Sequence, residues 1–395
     1  MRKISFAIIV FTSTFIAVAQ PPKTILMNAN RLAEVKKKVQ QKDKSTLSLI
    51  DSLKKQADGL LNMKSVSVMD KAFTPVSGSK HDYMSQAPYF WYDSTKTNGL
   101  PYMRKDGQRN PEINKITDHK YFADLDNAAR VLSLAYYFTG EEKYAEKAAS
   151  LLRFWFFDEA TKMNPNLDYA QAVPGVNTGR GIGIIESRSL VGIADAVGLL
   201  QGSKSWTSAD TKNLQQWYAQ FLNWMLTSKN GKEENAAKNN HGTWYSVQVI
   251  DYALFTGDKE KAKQLAEESK RRIDSQFTKE GKQPMELART NALGYSTMNL
   301  RGWFDLATLA EKTGVDLWQY KNPEGSGIQT VLNWLQPYAL GEKKWEYQQI
   351  SNYNKNEFYP VLLLAAQKFN DLHYLQLVKT SSNGTPWMTD LLYRK

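Results

Sequence analysis

The sequence predicts an all-α protein whose antiparallel helix hairpins close into an incomplete (α/α) toroid, broken by one long functional loop. Two observations predict it. Amphipathic segments of helical period recur in pairs joined by short glycine-bearing turns, the signature of antiparallel helical hairpins. Strand signals are sparse, the best of them between Ser275 and Thr290 around Gly281. No fixed-period repeat runs through the chain, so a ring of hairpins is favoured over a superhelical solenoid.

In chain order, Asn30 to Val35 opens a basic amphipathic helix, and Leu47, Ile50, Leu53, Leu60 and Leu61 mark a second at near-helical spacing. From about Ser65 to Lys120 the pattern breaks into a stretch rich in Pro, Gly, Tyr and polar residues, and a loop this long in a compact domain is usually functional. Tyr89 and Tyr92 in this stretch are candidates for a lid over a groove. Helices return as Asp124 to Phe138 with Glu141 to Phe157 across Thr139-Gly140, and as Ser187 to Leu200 with Ser208 to Leu226. A further pair, His241 to Phe255 with Lys259 to Ile273, turns at Thr256-Gly257-Asp258, and more helices follow between Tyr353 and Leu392 without a shift in composition.

The N-terminus reads as a secretory signal. Arg2 and Lys3 precede an apolar run from Ile4 to Val18, too short for a stable membrane span, and Ala17-Val18-Ala19 forms an A-x-A cleavage site. The expected organisation is therefore a signal peptide over 1–19 and a single domain over 20–395, in a periplasmic or secreted protein with no membrane span in its mature form. Zero Cys removes disulfides, thiolate catalysis and a lipidated N-terminal cysteine, and four His leave little for a histidine metal site. No metal and no cofactor are expected, because phosphate-binding, dinucleotide and HExxH patterns are all missing. With 51 Lys and Arg against 40 Asp and Glu, a net charge of +11, the field favours an anionic partner: nucleic acid, a membrane surface or an acidic polysaccharide. The 11 Trp and 20 Tyr suit a carbohydrate groove but equally an interface. Oligomeric state is not set by the sequence.

Two constellations carry chemistry. In Asn239-Asn240-His241-Gly242-Thr243-Trp244-Tyr245, either Asn can cap the following helix and put His241 in its first turn, where free amides and the dipole favour a carboxylate. The plain alternative is a cap beside a packed histidine. Downstream, Glu286 to Tyr295 includes Arg289, a planar fork for a carboxylate, and Tyr295, a hydroxyl able to act as acid or base if a cation tunes it.

Asn-Asn-His-Gly followed by this Arg and Tyr, with Thr161 to Gln171, Gly179-Arg180-Gly181, Tyr102 to Gly107 and the hairpin Leu132 to Trp155, resembles the alginate lyase superfamily of (α/α) toroid polysaccharide lyases. The resemblance spans roughly Pro88 to Gly314 and leaves the first helices and the C-terminal third unmatched. It implies an anionic polyuronate as the partner, not nucleic acid, and cleavage by β-elimination. It also implies that Asn240 and Arg289 neutralise the C6 carboxylate with help from His241, and that Tyr295 protonates the O4 leaving group. The base that takes H5 is then Tyr295 or His241. In β-D-mannuronate and β-D-glucuronate H5 and O4 share a face and one Tyr can serve both, whereas α-L-guluronate needs a second group. Trp91, Arg104, Asn164, Tyr169, Gln171, Arg180, Arg188, Asn239 and Trp244 are the candidate groove residues, suited to stacking on sugars or pairing with uronates.

The expected substrate is alginate, with mannuronate preferred and glucuronan the nearest rival. A glycoside hydrolase on a similar toroid would need two carboxylic acids across the groove, for which Asp124, Asp126 and Glu286 are available. A noncatalytic polyuronate binder would use Asn240, His241 and Arg289 alone.

Overall fold

The computed structural model describes residues 21–381 and 384–394, so the expected signal peptide lies outside the described residues. Sixteen α-helices and four short strands follow in the order α1 (Ala29–Gln40), α2 (Lys44–Leu60), β1 (Met84–Gln86), β2 (Phe90–Trp91), β3 (Met103–Arg104), α3 (Asp118–Thr139), α4 (Glu142–Phe156), β4 (Tyr169–Ala172), α5 (Leu190–Leu199), α6 (Ser208–Thr227), α7 (Lys229–Ala236), α8 (Asn240–Thr256), α9 (Lys259–Glu268), α10 (Lys270–Gln276), α11 (Pro284–Leu287), α12 (Ala292–Glu311), α13 (Ile328–Ala339), α14 (Tyr359–Lys368), α15 (His373–Ser381) and α16 (Trp387–Tyr393).

Position in the ring follows from hydropathy. Helices apolar nearly all round, such as α5 (LVGIADAVGL) and α8, can only be interior, whereas α9 (KEKAKQLAEE) buries little beyond Ala262 and Ala266 and keeps its Lys and Glu in water. The inner helices α3, α5, α8, α12 and α14 pack each on the next, and α4, α9, α13 and α15 fold back on α3, α8, α12 and α14. Helix α6 leans on α8 and α4, so the expected pairing of its segment with α5 gives way to packing on the next inner helix. The sharp turns form as the glycines require: Gly140 (φ 73°) and Gly257 (φ 86°) end α3 and α8 in the left-handed conformation. Capping is equally local, with Thr207 and Asp210 forming a reciprocal box at α6 and Asp258 capping α9.

Among the described residues no helix is long and apolar enough to cross a membrane. The strand expected around Gly281 is absent. Gly281 (φ 86°) instead makes a tight turn in which Thr278 N–H donates to the Lys282 carbonyl, and the short helix α11 follows, started by Pro284. The strands that do form lie elsewhere: β1 pairs in parallel with β4, and β2 with β3 in antiparallel register.

Two buried charges pin the non-helical segments to the ring. Asp195 of α5 accepts the backbone N–H groups of Ile25, Leu26 and Met27 and so ties down the residues before α1; burial nevertheless raises its pKa to about 6. Lys71, at the start of the long loop, pairs at 3.1 Å with Asp118 of α3, both side chains fully buried. Its ammonium also donates to the Val68 and Lys80 carbonyls at 2.6 Å, and Met84 N–H donates to Asp118. Burial raises the Asp118 pKa to about 6 and lowers that of Lys71, the mark of charges that depend on one another.

Removing one member of a buried pair leaves the other uncompensated. Lys71→Met should therefore lower unfolding free energy by about 3 kcal/mol, read as a reduced denaturant midpoint at constant m-value. An unchanged midpoint would show that the pair does not anchor the loop.

Candidate active site

A cavity of about 1700 Å³ opens where the long loop lies across the ends of α3, α8 and α12. The loop supplies Tyr89, Phe90, Arg104, Asp106 and Arg109; the segment before α5 supplies Arg180, Glu186 and Arg188; α8 supplies His241; and Arg289 and Tyr295 come from the entry to α12. Cations outnumber acids in the lining: Arg104, Arg109, Lys120, Arg180, Arg188 and Arg289 face Asp106, Glu186 and Glu357. Such a wall attracts a polyanion.

At the start of α8, Gly242 explains the Asn-His-Gly pattern. A Cβ there would meet the Ala237 carbonyl at 2.1 Å and the Arg272 guanidinium at 2.4 Å. That close approach lets Arg272 lock the turn from α7 by donating to the Ala237 and Asn235 carbonyls and to Ser246. Asn239 occupies the cap position but its side chain makes no cap bond and lines the cavity. The carboxylate expected at this helix end is the protein's own. Glu286 accepts the Asn240 backbone N–H at 2.6 Å and its amide N–H groups at 3.0 and 2.8 Å. Burial raises the Glu286 pKa against the pull of these bonds. In this arrangement Asn240 is fully buried with its donors turned to Glu286 and its amide oxygen without a partner among the described residues.

His241 sits at the cavity wall with Nδ1 2.7 Å from Glu234, a carboxylate 1% exposed. With Nδ1 as the donor, the Nε2 lone pair is left for the cavity. Arg289 gives Nε and Nη2 to Asp106 at 3.0 and 2.8 Å, while Thr290 adds its backbone N–H and hydroxyl at 3.1 Å each. Burial works to raise the Asp106 pKa, but the bonds from Arg289 and Thr290 hold it well below the carboxylate range. The same guanidinium lies 3.8 Å from the Tyr295 ring centroid. The Tyr295 hydroxyl is 2.7 Å from that of Tyr89, and burial with this bond raises its pKa above the phenol's ordinary value although Arg289 pulls it down.

Of the other expected groove residues, Arg104, Gln171, Arg180 and Arg188 line the cavity. Arg180 donates to Gln171 at 2.9 Å and lies 5.0 Å from the Phe90 ring. The Arg188 side chain has no hydrogen bond or ion pair among the described residues, and burial around it lowers its pKa. Trp91, Asn164, Tyr169 and Trp244 do not line the cavity, each for a local reason. Trp91 donates its indole N–H to the Gln108 carbonyl with Lys105 over its ring, and Asn164 is held by Asp82 at 2.8 Å. Tyr169 pairs with Met84 in the β1–β4 ladder, and Trp244 is buried behind Arg188, whose guanidinium lies 5.8 Å from its ring. Tyr92 packs over Gly99, while Tyr89 faces the cavity. Asp124, Asp126 and Glu286, the acids a hydrolase would need, are all outside the lining. Arg109, His119, Lys120, Glu186 and the stretch from Gln349 to Glu357 line it without having been singled out. That last stretch carries no motif. It reaches the site by pairing, with the Ala292 and Ile350 N–H groups bonding to the Gln348 and Thr290 carbonyls.

The helical toroid and its cationic, arginine-rich cavity suit an acidic polysaccharide. The alginate lyase family model matches residues 67–345. An alginate lyase from Bacteroides ovatus superposes with a TM-score of 0.90 at 40% identity, covering 94% of this chain and 99% of its own. Two structures of alginate lyase A1-III share the fold at lower identity. A histidine-to-alanine variant in complex with a tetrasaccharide has a TM-score of 0.62 at 16% identity over 96% of this chain and 98% of its own. The Sphingomonas species A1 enzyme has 0.54 at 15% over 86% and 94%. No curated protein matches. The chain belongs to the alginate lyase family and is a polysaccharide lyase.

Because Asp106 has a pKa below its unfolded value of about 3.8, its contribution to stability is present above that value and is lost as pH falls through the folded pKa. Asp106→Asn should cost about 2 kcal/mol at pH 7, the scale of charge-assisted bonds, and the gap from the parent should close as pH drops below 4. A gap that stays constant across that range would mean the ion pair is not its source.

Proposed function

We propose that this lyase cleaves a 4-linked polyuronate, polymannuronate first and glucuronan by the same chemistry, through β-elimination that leaves a 4,5-unsaturated uronate at the new end. The observation that carries the reading is the stacking of Arg289 on Tyr295 at the cavity, which puts a carboxylate-binding cation and a proton-handling hydroxyl side by side. Asp106 holds one edge of the guanidinium, so Nη1 is the edge offered to the C6 carboxylate. Neutralising that carboxylate acidifies H5, because the charge of the enolate formed on its removal is stabilised by donors already in place. The C5–H electron pair then forms the C4–C5 double bond, the C4–O4 bond breaks, and Tyr295 protonates O4.

Glu286 sets the state of Asn240. Burial favours its protonated form; the acid then donates to the Asn240 amide oxygen, and the amide nitrogen turns to the substrate carboxylate. Glu234 orients His241 in the corresponding way, fixing Nδ1–H and exposing Nε2. On mannuronate, Tyr295 takes H5 and returns it to O4 once substrate has displaced Tyr89 and Arg289 is its dominant neighbour. A second route, with His241 as the base and Tyr295 only as the acid, is favoured by the raised Tyr295 pKa in the free site, and it is the route guluronate requires. Arg180 and Arg188 hold uronates at neighbouring subsites. Residues 20–395 form one lyase domain, exported to the periplasm or the medium after removal of residues 1–19, as the N-terminal pattern supports.

Chain scission should bring ultraviolet absorbance from the conjugated double bond, and reducing ends without absorbance would mean hydrolysis. Tyr295→Phe should lower kcat at least about 100-fold, the floor for general acid–base catalysis, while oligosaccharide affinity changes little; retained turnover would remove Tyr295 from the reaction. His241→Gln separates the two routes. With Tyr295 as the base on mannuronate, the variant loses far more rate on guluronate than on mannuronate, and the ratio of the two losses cancels any shared folding defect. Equal losses would make His241 a common element of both reactions.

A further inference from the structure

A second cleft, of about 640 Å³, lies on the outer wall between α13 and the chain preceding it, and shares no residue with the catalytic cavity. Its floor is Trp334 and Tyr338 of α13, and Tyr320 forms the facing wall, held by hydrogen bonds to Asp274. Lys321 and Lys343 stand on its rim, exposed and without a side-chain hydrogen bond or ion pair among the described residues. Glu280 is also in the lining. Half-exposed rings and two ammonium groups without an ion pair are what a uronate sugar needs: faces to stack on and cations for carboxylates.

A short stretch of chain links the cleft to the active site. From Trp334 and Tyr338 the aromatic surface passes to Trp345, 6.1 and 5.4 Å away, and from Trp345 to Tyr347 at 5.2 Å. Two residues further on, Gln349 lines the catalytic cavity. The six steps from Lys343 to Gln349 span no more than about 20 Å even when fully extended, so one polymer can occupy both places.

We infer that this cleft and the aromatic track from Trp334 to Tyr347 form an accessory binding site for the anionic polysaccharide, holding a part of the chain that is not being cut. The inference rests on the proposed polyuronate substrate. It requires a difference between long and short substrates. Lys321→Glu with Lys343→Glu, both at exposed positions, should lower kcat/KM on polymannuronate roughly fivefold, the scale of two exposed ion pairs acting together, and leave kcat/KM on a mannuronate tetrasaccharide unchanged. Equal effects on both substrates, or none on the polymer, overturn the accessory site while leaving the catalytic reading intact. Failure of the parent to cleave either substrate overturns the catalytic reading instead, and binding then decides the cleft. In ¹⁵N-labelled Tyr295→Phe protein titrated with polymannuronate, the indole resonances of Trp334 and Trp345 should shift, and the shifts should vanish with the two lysine substitutions. Indole resonances that do not move overturn the inference.

Discussion

Asp106 joins the two halves of the catalytic cavity. It comes from the long loop, while the Arg289 and Thr290 groups that donate to it come from the entry to α12, more than 180 positions later in the chain. Five donor atoms, one of them from Arg104 of the same loop, converge on its two oxygens, which holds the carboxylate ionised in spite of its burial. The pairing fixes Arg289 in the plane that lies over Tyr295 and brings Tyr89 within hydrogen-bond distance of the Tyr295 hydroxyl. Other anchors act further out: Lys71 with Asp118 fastens the start of the loop, and the Gln348–Ile350 stretch braces the α12 entry from the opposite side.

Carboxylates close to a site for a polyanion need a physical justification, and the geometry supplies one. Asp106 in the cavity lining, and Glu234 and Glu286 outside it, each accept from a donor of the site, so each uses its charge to orient a group and leaves that group's other edge to the substrate. For Arg289 the far edge is another N–H, and for His241 it is Nε2. For Asn240 it is the amide oxygen, an acceptor that repels a carboxylate. Only a protonated Glu286 reverses that polarity, and burial drives its pKa in that direction.

Legibility in the sequence followed the range of the interactions. Hairpin turns rest on one glycine and its neighbours, so Gly140 and Gly257 could be read directly, and the packing of α3 on α4 and α8 on α9 followed. Asn240, His241, Arg289 and Tyr295 were legible as residue types in a resembling pattern, but their hydrogen bonds were not. In the sequence Glu286 is one acid among several, and only the folded chain brings it beneath a helix start 46 positions away. The β1–β4 pairing could not be read because three- and four-residue strands carry almost no periodicity and their partners are far apart. Trp91, Asn164, Tyr169 and Trp244 were chosen for chemistry that suits a sugar. The same chemistry satisfied local structure first: an indole N–H found a carbonyl, an amide found Asp82, a tyrosine joined a ladder and a tryptophan filled the core.

Charge placement, more than total charge, sets the direction in which a polymer is drawn. Several inner cations are committed to acids, Arg289 and Arg104 to Asp106 and Lys120 to Asp124, whereas Arg180 donates to the neutral amide of Gln171 and the Arg188 side chain has no ion pair among the described residues. A cation paired with an acid keeps its geometry but presents a weakened field beyond the cavity mouth, because the opposite charge beside it leaves only a dipole, and salt screens the remainder over a Debye length of about 8 Å. Lys321 and Lys343 have no ion-pair partner among the described residues and are exposed to solvent, with Glu280 in the same cleft. In the proposed mechanism the outer lysines therefore act on a long anionic chain before the inner arginines do, and the inner arginines supply the fixed geometry that elimination needs.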